Sequence, residues 1–341
     1  MTEIGPSQGP MAPSDDSIFP ATATPAADAQ VLAPDGSIAR VDDTQAAGLD
    51  LKVRSQWSYA RMRFFRHRLA LIGLFGLVII FGAGIFAGQI APYGYAEIDL
   101  AHILQGPSHA HYFGTDALGR DEYTRVLWGI RTSMEVGVFV ALFSTFIGLV
   151  IRAIAGYYDG WLDNLLMRTT NLVLTLPLLA ILLTANALLG QGSQWRVSLI
   201  LIAFFWTGIA RVVRGIFLSL REKEYVEAAK ASGAGDARLM FRHILPNTLG
   251  PIVVNATLAV GTAILVEAAL SFLGFGIKPP TPSLGELIYD AQQNPTTFTG
   301  QQTWWLTIFP GLTIVLIVLC INFVGDGLRD ALDPTQRRMR A

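Results

Sequence analysis

The chain is poor in charged residues and in cysteine. Only 15% of its 341 residues are Asp, Glu, Lys or Arg, and Cys320 is its single cysteine. Soluble domains carry about a quarter charged residues, so the composition argues against a soluble protein. One cysteine excludes an intramolecular disulfide and a cysteine metal cluster. Because Cys320 lies within an apolar run, we interpret it as a small residue facing lipid or the protein core.

The sequence also lacks a phosphate-binding loop. It contains no Gly-x-x-x-x-Gly-Lys-[Ser/Thr] stretch, the segment whose backbone would cradle the phosphates of ATP. It has no apolar core after a basic start at the N-terminus, so no cleavable signal peptide is predicted. We therefore expect the chain not to be an enzyme and to bind no cofactor or metal.

Hydrophobic residues are abundant, at 52% of the chain with a mean hydropathy of +0.43. An apolar run of about 20 residues is long enough to cross the bilayer core as a helix. Pro177 and Pro310 fall inside two such runs, where neighbouring helices can satisfy the freed backbone groups. The predicted class is an all-α integral membrane protein with six transmembrane helices, at 69–90, 133–156, 166–190, 196–218, 247–273 and 304–327.

The distribution of basic residues predicts the orientation of these spans. Six Lys or Arg residues lie within 52–68 and five within 219–246, whereas Lys278 is the only one in 274–303. Basic loops stay in the cytoplasm, so both termini are predicted to be cytoplasmic in a multi-pass protein of the inner (plasma) membrane.

The chain divides by composition into three parts. Residues 1–50 are rich in Pro, Ala, Ser, Thr and Asp, and are predicted to form a disordered cytoplasmic tail, because they cannot bury enough apolar surface. Residues 51–131 hold the basic segment, the first span and an extracytoplasmic segment. Residues 132–335 form the remaining transmembrane domain.

The most informative segment is the polar loop at 222–246. It contains Glu227-Ala228-Ala229-Lys230-Ala231-Ser232-Gly233 and, further on, His243-Ile244-Leu245-Pro246. Residues 222–232 favour a helix that Gly233 would end. Asp236 is predicted to cap a second short helix that ends near Pro246.

This loop resembles the EAA loop of ABC importer permeases, and His-Ile-Leu-Pro-Asn at 243–247 is similar to their dipeptide/oligopeptide branch. The family pattern has Ile where His243 stands here. Four further stretches match the same branch in order, so the resemblance covers about 57–335. These stretches are 113–121, 129–133, 267–276 and 325–334.

The resemblance implies a C-type permease subunit with the type I importer fold. It implies a paralogous permease subunit as heterodimer partner, two cytoplasmic ATPase domains holding ATP and Mg²⁺, and an extracytoplasmic substrate-binding protein. Membrane lipid is the surrounding medium, and no nucleic acid is expected. The residues implied to couple to the ATPase are Glu227, Ala228, Ala229, Gly233, Leu245 and Pro246.

Two charged residues inside the spans are candidates for the substrate pathway. Arg152 either reaches the interface with its long side chain or faces the pore or another helix. Glu267 has a structural or gating role, contacts substrate, or relays protons. The histidines at 102, 109 and 111 are surface residues or metal ligands.

The substrate stays open between peptides, nickel and other small solutes. An ion-driven secondary transporter is the rival class. It predicts paired intramembrane charges or broken helices in matching halves of the sequence, and neither is evident.

Overall fold

The computed structural model describes residues 30–32, 38–40, 56–158, 161–189, 192–293 and 303–332. The chain separates into a unit of residues 1–55 and a unit of residues 56–341. In the first unit, β1 (Gln30–Leu32) pairs antiparallel with β2 (Ile38–Arg40). The sequence analysis did not predict these two strands. The rest of the predicted disordered tail lies outside the described residues.

The second unit is helical in the part that the structure describes. A short 3₁₀ turn, Leu100–His102, interrupts the long connection between the third and fourth helices. The helices are α1 (Gln56–Phe64), α2 (Arg68–Ile85), α3 (Ala87–Ile90), α4 (Glu122–Tyr158), α5 (Trp161–Thr175), α6 (Leu178–Leu189), α7 (Gln194–Arg221), α8 (Glu224–Ala231), α9 (Asp236–Arg238), α10 (Leu245–Phe272), α11 (Leu284–Gln292) and α12 (Trp305–Leu332).

The helices confirm the predicted spans, with one exception in shape. Among the described residues, five helices are long and apolar enough to cross a membrane, and there are up to six such spans if the bent pair Asp163–Thr175 with Leu178–Leu189 forms one span. The prediction of one uninterrupted span at 166–190 is wrong, because the chain turns by 90° there. Proline lacks an amide hydrogen and disfavours helical geometry at Leu176 before it, so the helix stops ahead of Pro177. Pro310, in contrast, lies inside α12 as predicted.

Small residues let the spans approach closely. A Cβ atom on Gly73 of α2 would lie 2.7 Å from the backbone oxygen of Cys320 in α12. A Cβ atom on Gly137 of α4 would lie 2.5 Å from Cγ1 of Ile264 in α10. Close backbone approach of this kind is how helices associate in lipid. Cys320 is therefore a core residue, one of the two alternatives that the sequence left open.

Helix α11 is short, and it lies at the end of α10 that is opposite the 222–246 loop. Leu284 and Leu287 of α11 pack in one buried cluster with Val126 and Ile130 of α4 and with residues of α10 and α12. A Cβ atom on Gly285 would lie 2.4 Å from the backbone oxygen of Ala268, so α11 sits directly against α10. This packing places polar residues of α11 beside the start of α4.

Candidate functional site

The first half of the 222–246 loop forms α8, which presents one apolar side chain inward and a polar surface outward. Val226 is 3% exposed. Glu227 and Ala228 are exposed, and Ala229 is half-buried. The predicted helix at 222–232 is interrupted at its start, because α7 ends at Arg221 and Lys223 caps α8.

Gly233 ends α8, as the sequence predicted, and it has the left-handed conformation common at helix ends. Its φ angle is +81°. Its amide donates to the Lys230 carbonyl over 3.0 Å, and the Ala234 amide donates to the Ala229 carbonyl over 3.1 Å. These two hydrogen bonds define a Schellman motif, in which a glycine avoids the strain that a side chain would cause. The turn is thus encoded by one residue.

The second half of the loop differs from its prediction. Gly235 caps the next helix, and Asp236 is its first residue. A π-helical stretch at Leu239–Ile244 then continues into α10. The predicted end near Pro246 is wrong, because Pro246 stands in the first turn of α10, directly after the π-helical stretch, and the helix continues past it.

A buried cluster connects the loop to two spans. Val226 of α8 packs with Phe217 of α7, with Met240 and Ile244 of the π-helical stretch, and with Ile252 of α10. Leu245 is half-buried against the same cluster. A force applied to α8 would therefore reach both α7 and α10 through close-packed side chains.

The outer surface of the loop carries exposed aromatic side chains. Tyr225 is 42% exposed and Phe241 is 56% exposed. Partial burial raises the pKa of Tyr225, and a hydrogen bond with Asn247 opposes that shift. Aromatic residues are enriched in the buried centre of protein interfaces.

Glu267 lies in a fully buried cage of serine hydroxyl groups. Ser271 donates to its Oε1 over 2.7 Å, and Ser133 of α4 donates to its Oε2 over 3.1 Å. Ser283 hydrogen-bonds Ser271 over 3.4 Å and caps α11 by accepting from the Glu286 amide over 3.2 Å. The cage therefore joins α4, α10 and the start of α11. Arg152, the other pathway candidate, lies in α4, and nothing is described of its side chain.

The structure assembles a charge cluster that the sequence analysis missed. Arg125 is 2% exposed and donates to Asp116 over 2.6 Å, to Glu286 over 3.1 and 3.2 Å, and to Asp290 over 3.1 Å. Arg120 donates to the same Asp116 oxygen over 2.6 Å and to Asp290 over 3.1 Å. We call these five residues the charge cluster.

Burial raises the pKa of Glu286 to about 8, with Arg125 acting in the opposite direction and Asp290 in the same one. This carboxyl group therefore holds its proton more tightly than a free glutamic acid does. The closely spaced charges of Asp116, Arg120 and Arg125 were visible in the sequence. The other two members, Glu286 and Asp290, lie more than 160 positions away from the arginines that they contact.

Two of the three loop histidines are held by carboxylates. His102 Nδ1 lies 2.7 Å from Asp99, and this hydrogen bond lowers the pKa of Asp99. His111 Nδ1 lies 2.9 Å from Asp121 in a buried pair. Within the part of the chain that the structure describes, no three His, Cys, Asp or Glu side chains are arranged to hold a metal.

Comparison with known proteins places this helical assembly in a family of membrane transport components. Residues 144–338 match the family model for the inner membrane component of binding-protein-dependent transport systems, and residues 55–107 match that for the N-terminal transmembrane domain of oligopeptide transport permease C. The chain belongs to the binding-protein-dependent transport system inner membrane component family. It is a membrane permease of ABC import systems.

Individual relatives extend over most of the chain. It is 42% identical to the dipeptide transport system permease protein DppC of Alkalihalophilus pseudofirmus over 83% of this chain and 91% of that protein. It is 40% identical to the oligopeptide transport system permease protein OppC of Mycobacterium tuberculosis over 82% of this chain and 94% of that protein. Among solved structures, inward-facing MetNI methionine ABC transporter matches with 21% identity and a TM-score of 0.47, over 60% of this chain and 94% of the matched chain.

Proposed function

We propose that this chain is the C-type permease subunit of an ATP-driven importer of dipeptides or oligopeptides. Relatives of about 40% identity are named as dipeptide and oligopeptide permeases, and they extend over four fifths of the chain. The proposed assembly is a heterodimer with a paralogous permease, two cytoplasmic ATPase domains and an extracytoplasmic binding protein. ATP and Mg²⁺ bind to the ATPase subunits, which perform the hydrolysis.

The orientation that this assembly requires has both termini in the cytoplasm. The basic residues of the 219–246 loop and their near absence from 274–303 support it. The 222–246 loop then faces the ATPase subunits, and the segments around α11 face the binding protein.

The observation that carries the proposal is the construction of α8. Glu227 and Ala228 are exposed on a helix whose inner residue, Val226, is anchored in the cluster that includes α7 and α10. An ATPase subunit that grips this surface moves two spans when it closes. The transport cycle then requires that ligands bind the inward- and outward-facing states with different affinities.

Glu267 takes a gating role in this proposal. Its carboxylate accepts hydrogen bonds from serines on α4 and α10, and Ser283 extends the cage to the loop before α11. A shift of α10 that starts at the 222–246 loop would therefore strain contacts at the opposite end of the same helix.

The test compares Gly233→Asp with Gly235→Asp in the complete reconstituted transporter. A Cβ atom at either glycine would meet nothing within 4 Å, but only Gly233 has a positive φ angle. Gly233→Asp should leave the subunit in the membrane and uncouple ATP hydrolysis from uptake, because a side chain strains this turn by about 1–2 kcal/mol. Gly235→Asp adds the same charge without that strain and should disturb coupling less.

Glu227→Lys should change coupling more than it weakens ATPase binding, since an exposed rim charge affects register more than affinity. The measurements are substrate-stimulated ATP hydrolysis, peptide uptake and retention of the ATPase subunits. Wild-type uptake by Gly233→Asp with the ATPase subunits still bound would show that this loop is not the coupling element.

A further inference from the structure

A cavity of about 250 Å³ lies beside the charge cluster. Its walls are of two kinds. One part is lined by charged side chains, namely those of Asp116, Arg120, Glu122, Arg125 and Asp290. The rest is lined by apolar side chains, namely those of Leu287, Ala291 and Leu306. Exposed residues at 117, 118 and 293 complete the lining. The cavity is therefore open at one side and strongly charged within.

Acidic groups outnumber basic ones around this cavity. Three carboxyl groups, those of Asp116, Glu122 and Asp290, line it beside two guanidinium groups, those of Arg120 and Arg125. The two terminal nitrogens of Arg125 are already engaged, one with Asp116 and the other with Glu286 and Asp290. The lining thus carries one acidic group more than it carries basic ones.

Glu122 is the group that this arrangement leaves incomplete. It is 1% exposed, and its Oε1 has no hydrogen-bond partner in the structure. A buried polar atom without a partner costs about 1–3 kcal/mol. A cation that entered the cavity would pair with the carboxyl group of Glu122 and offset the excess of acidic groups.

We propose that the cavity receives a lysine or arginine side chain of the extracytoplasmic binding protein. This inference rests on the proposed function, which places the α11 end of the molecule outside the membrane. The methylene stem of such a side chain would lie along Leu287, Ala291 and Leu306, and its charged head would reach Glu122. Ligand pockets usually measure about 300–1,000 Å³, so the cavity suits one long side chain better than a peptide.

Docking through a buried charge has consequences that can be measured. Removing the acidic partner of a buried cation slows association little and speeds dissociation strongly. The experiment uses the complete transporter in nanodiscs, with the binding protein of the same system immobilised for kinetic binding measurements. Glu122→Gln keeps the size of the side chain and removes its ability to ionise. Glu97→Gln is the matched control, because Glu97 is exposed in the connection between α3 and α4 and lies outside the cavity lining.

We expect Glu122→Gln to weaken docking at least about tenfold, mainly through faster dissociation, while Glu97→Gln changes it less than about twofold. A scan of lysines and arginines on the binding protein should find one whose loss adds nothing to Glu122→Gln. In wild-type transporter, n-butylammonium should compete with docking and n-butanol should not. This second measurement needs no substitution in the permease.

Unchanged docking by Glu122→Gln would overturn the inference, as would saturable n-butylammonium binding that leaves docking unaffected. The latter result would identify a site for free amines instead. These outcomes are distinct from failure of the proposed function, which is judged from Gly233→Asp and from ATP hydrolysis coupled to uptake.

Discussion

Replacing Arg125 by Met should destabilise the permease more than the same change at any exposed arginine of α4. Arg125 is 2% exposed, and its guanidinium contacts Asp116, Glu286 and Asp290 at 2.6–3.2 Å. Breaking a buried ion pair by removing one partner costs about 3–5 kcal/mol. At about 2–4 °C per kcal/mol, this corresponds to a fall in melting temperature of roughly 6–20 °C.

The three acidic partners do not lose equally many contacts when Arg125 is replaced. Asp116 and Asp290 each keep a contact with Arg120, at 2.6 and 3.1 Å. Glu286 is buried and loses both of its hydrogen bonds to a guanidinium. Since Glu286 carries a proton below its pKa of about 8, Arg125→Met should lower the melting temperature less at pH 7 than at pH 9.

The assay is thermal melting of the purified complex, with Arg131→Met as the control. Arg131 lies on the same helix, has a side chain that is 42% exposed, and pairs with Glu135 over 3.0 Å. Exposed pairs of this kind contribute about 0.3–0.5 kcal/mol, so the control should melt within about 2 °C of wild type. Adding Glu286→Gln to Arg125→Met should recover part of the loss. Equal melting temperatures for the two arginine variants would refute the reasoning.

Two further outcomes are expected. The folded pKa of Glu286 lies above its unfolded value of 4.5, so its contribution to stability is full below pH 4.5 and disappears as the pH rises through about 8. Glu286→Gln should therefore flatten the fall in melting temperature between pH 5 and pH 8, and an unchanged slope would contradict this. Cysteines introduced at Ser232 and Thr281 should react with a membrane-impermeant reagent from opposite sides, Ser232 from the cytoplasm, and labelling of both from one side would exclude the proposed topology.

Local signals in the sequence were sufficient for the spans and for the turn at Gly233. Both depend on neighbouring residues, namely a long apolar run or a glycine after a helix. The structure confirms that Gly233 ends α8, where its φ angle is +81°. Proline was harder to interpret, because its effect depends on position. Pro177 stops a helix, while Pro246 stands in the first turn of one.

The charge cluster could not be predicted from local pattern. Arg125 and Glu286 are 161 positions apart, and each belongs to a segment with several other charges. Their pairing depends on how α11 packs against α4, which in turn requires Gly285 to allow close contact with Ala268. Only the packed structure distinguishes these residues from ordinary surface charges.

The two polar sites of the molecule are mechanically linked through one helix. The helical segment from Asp236 to Phe272 is 37 residues long, which corresponds to about 55 Å at 1.5 Å per residue. Its first part packs with Val226 of the 222–246 loop, and Glu267 near its other end holds the serine cage that caps α11. Helix α11 also carries Glu286 and Asp290 of the charge cluster. A displacement of α10 at either end would therefore strain hydrogen bonds at the other, so the 222–246 loop and the charge cluster are joined through one helix.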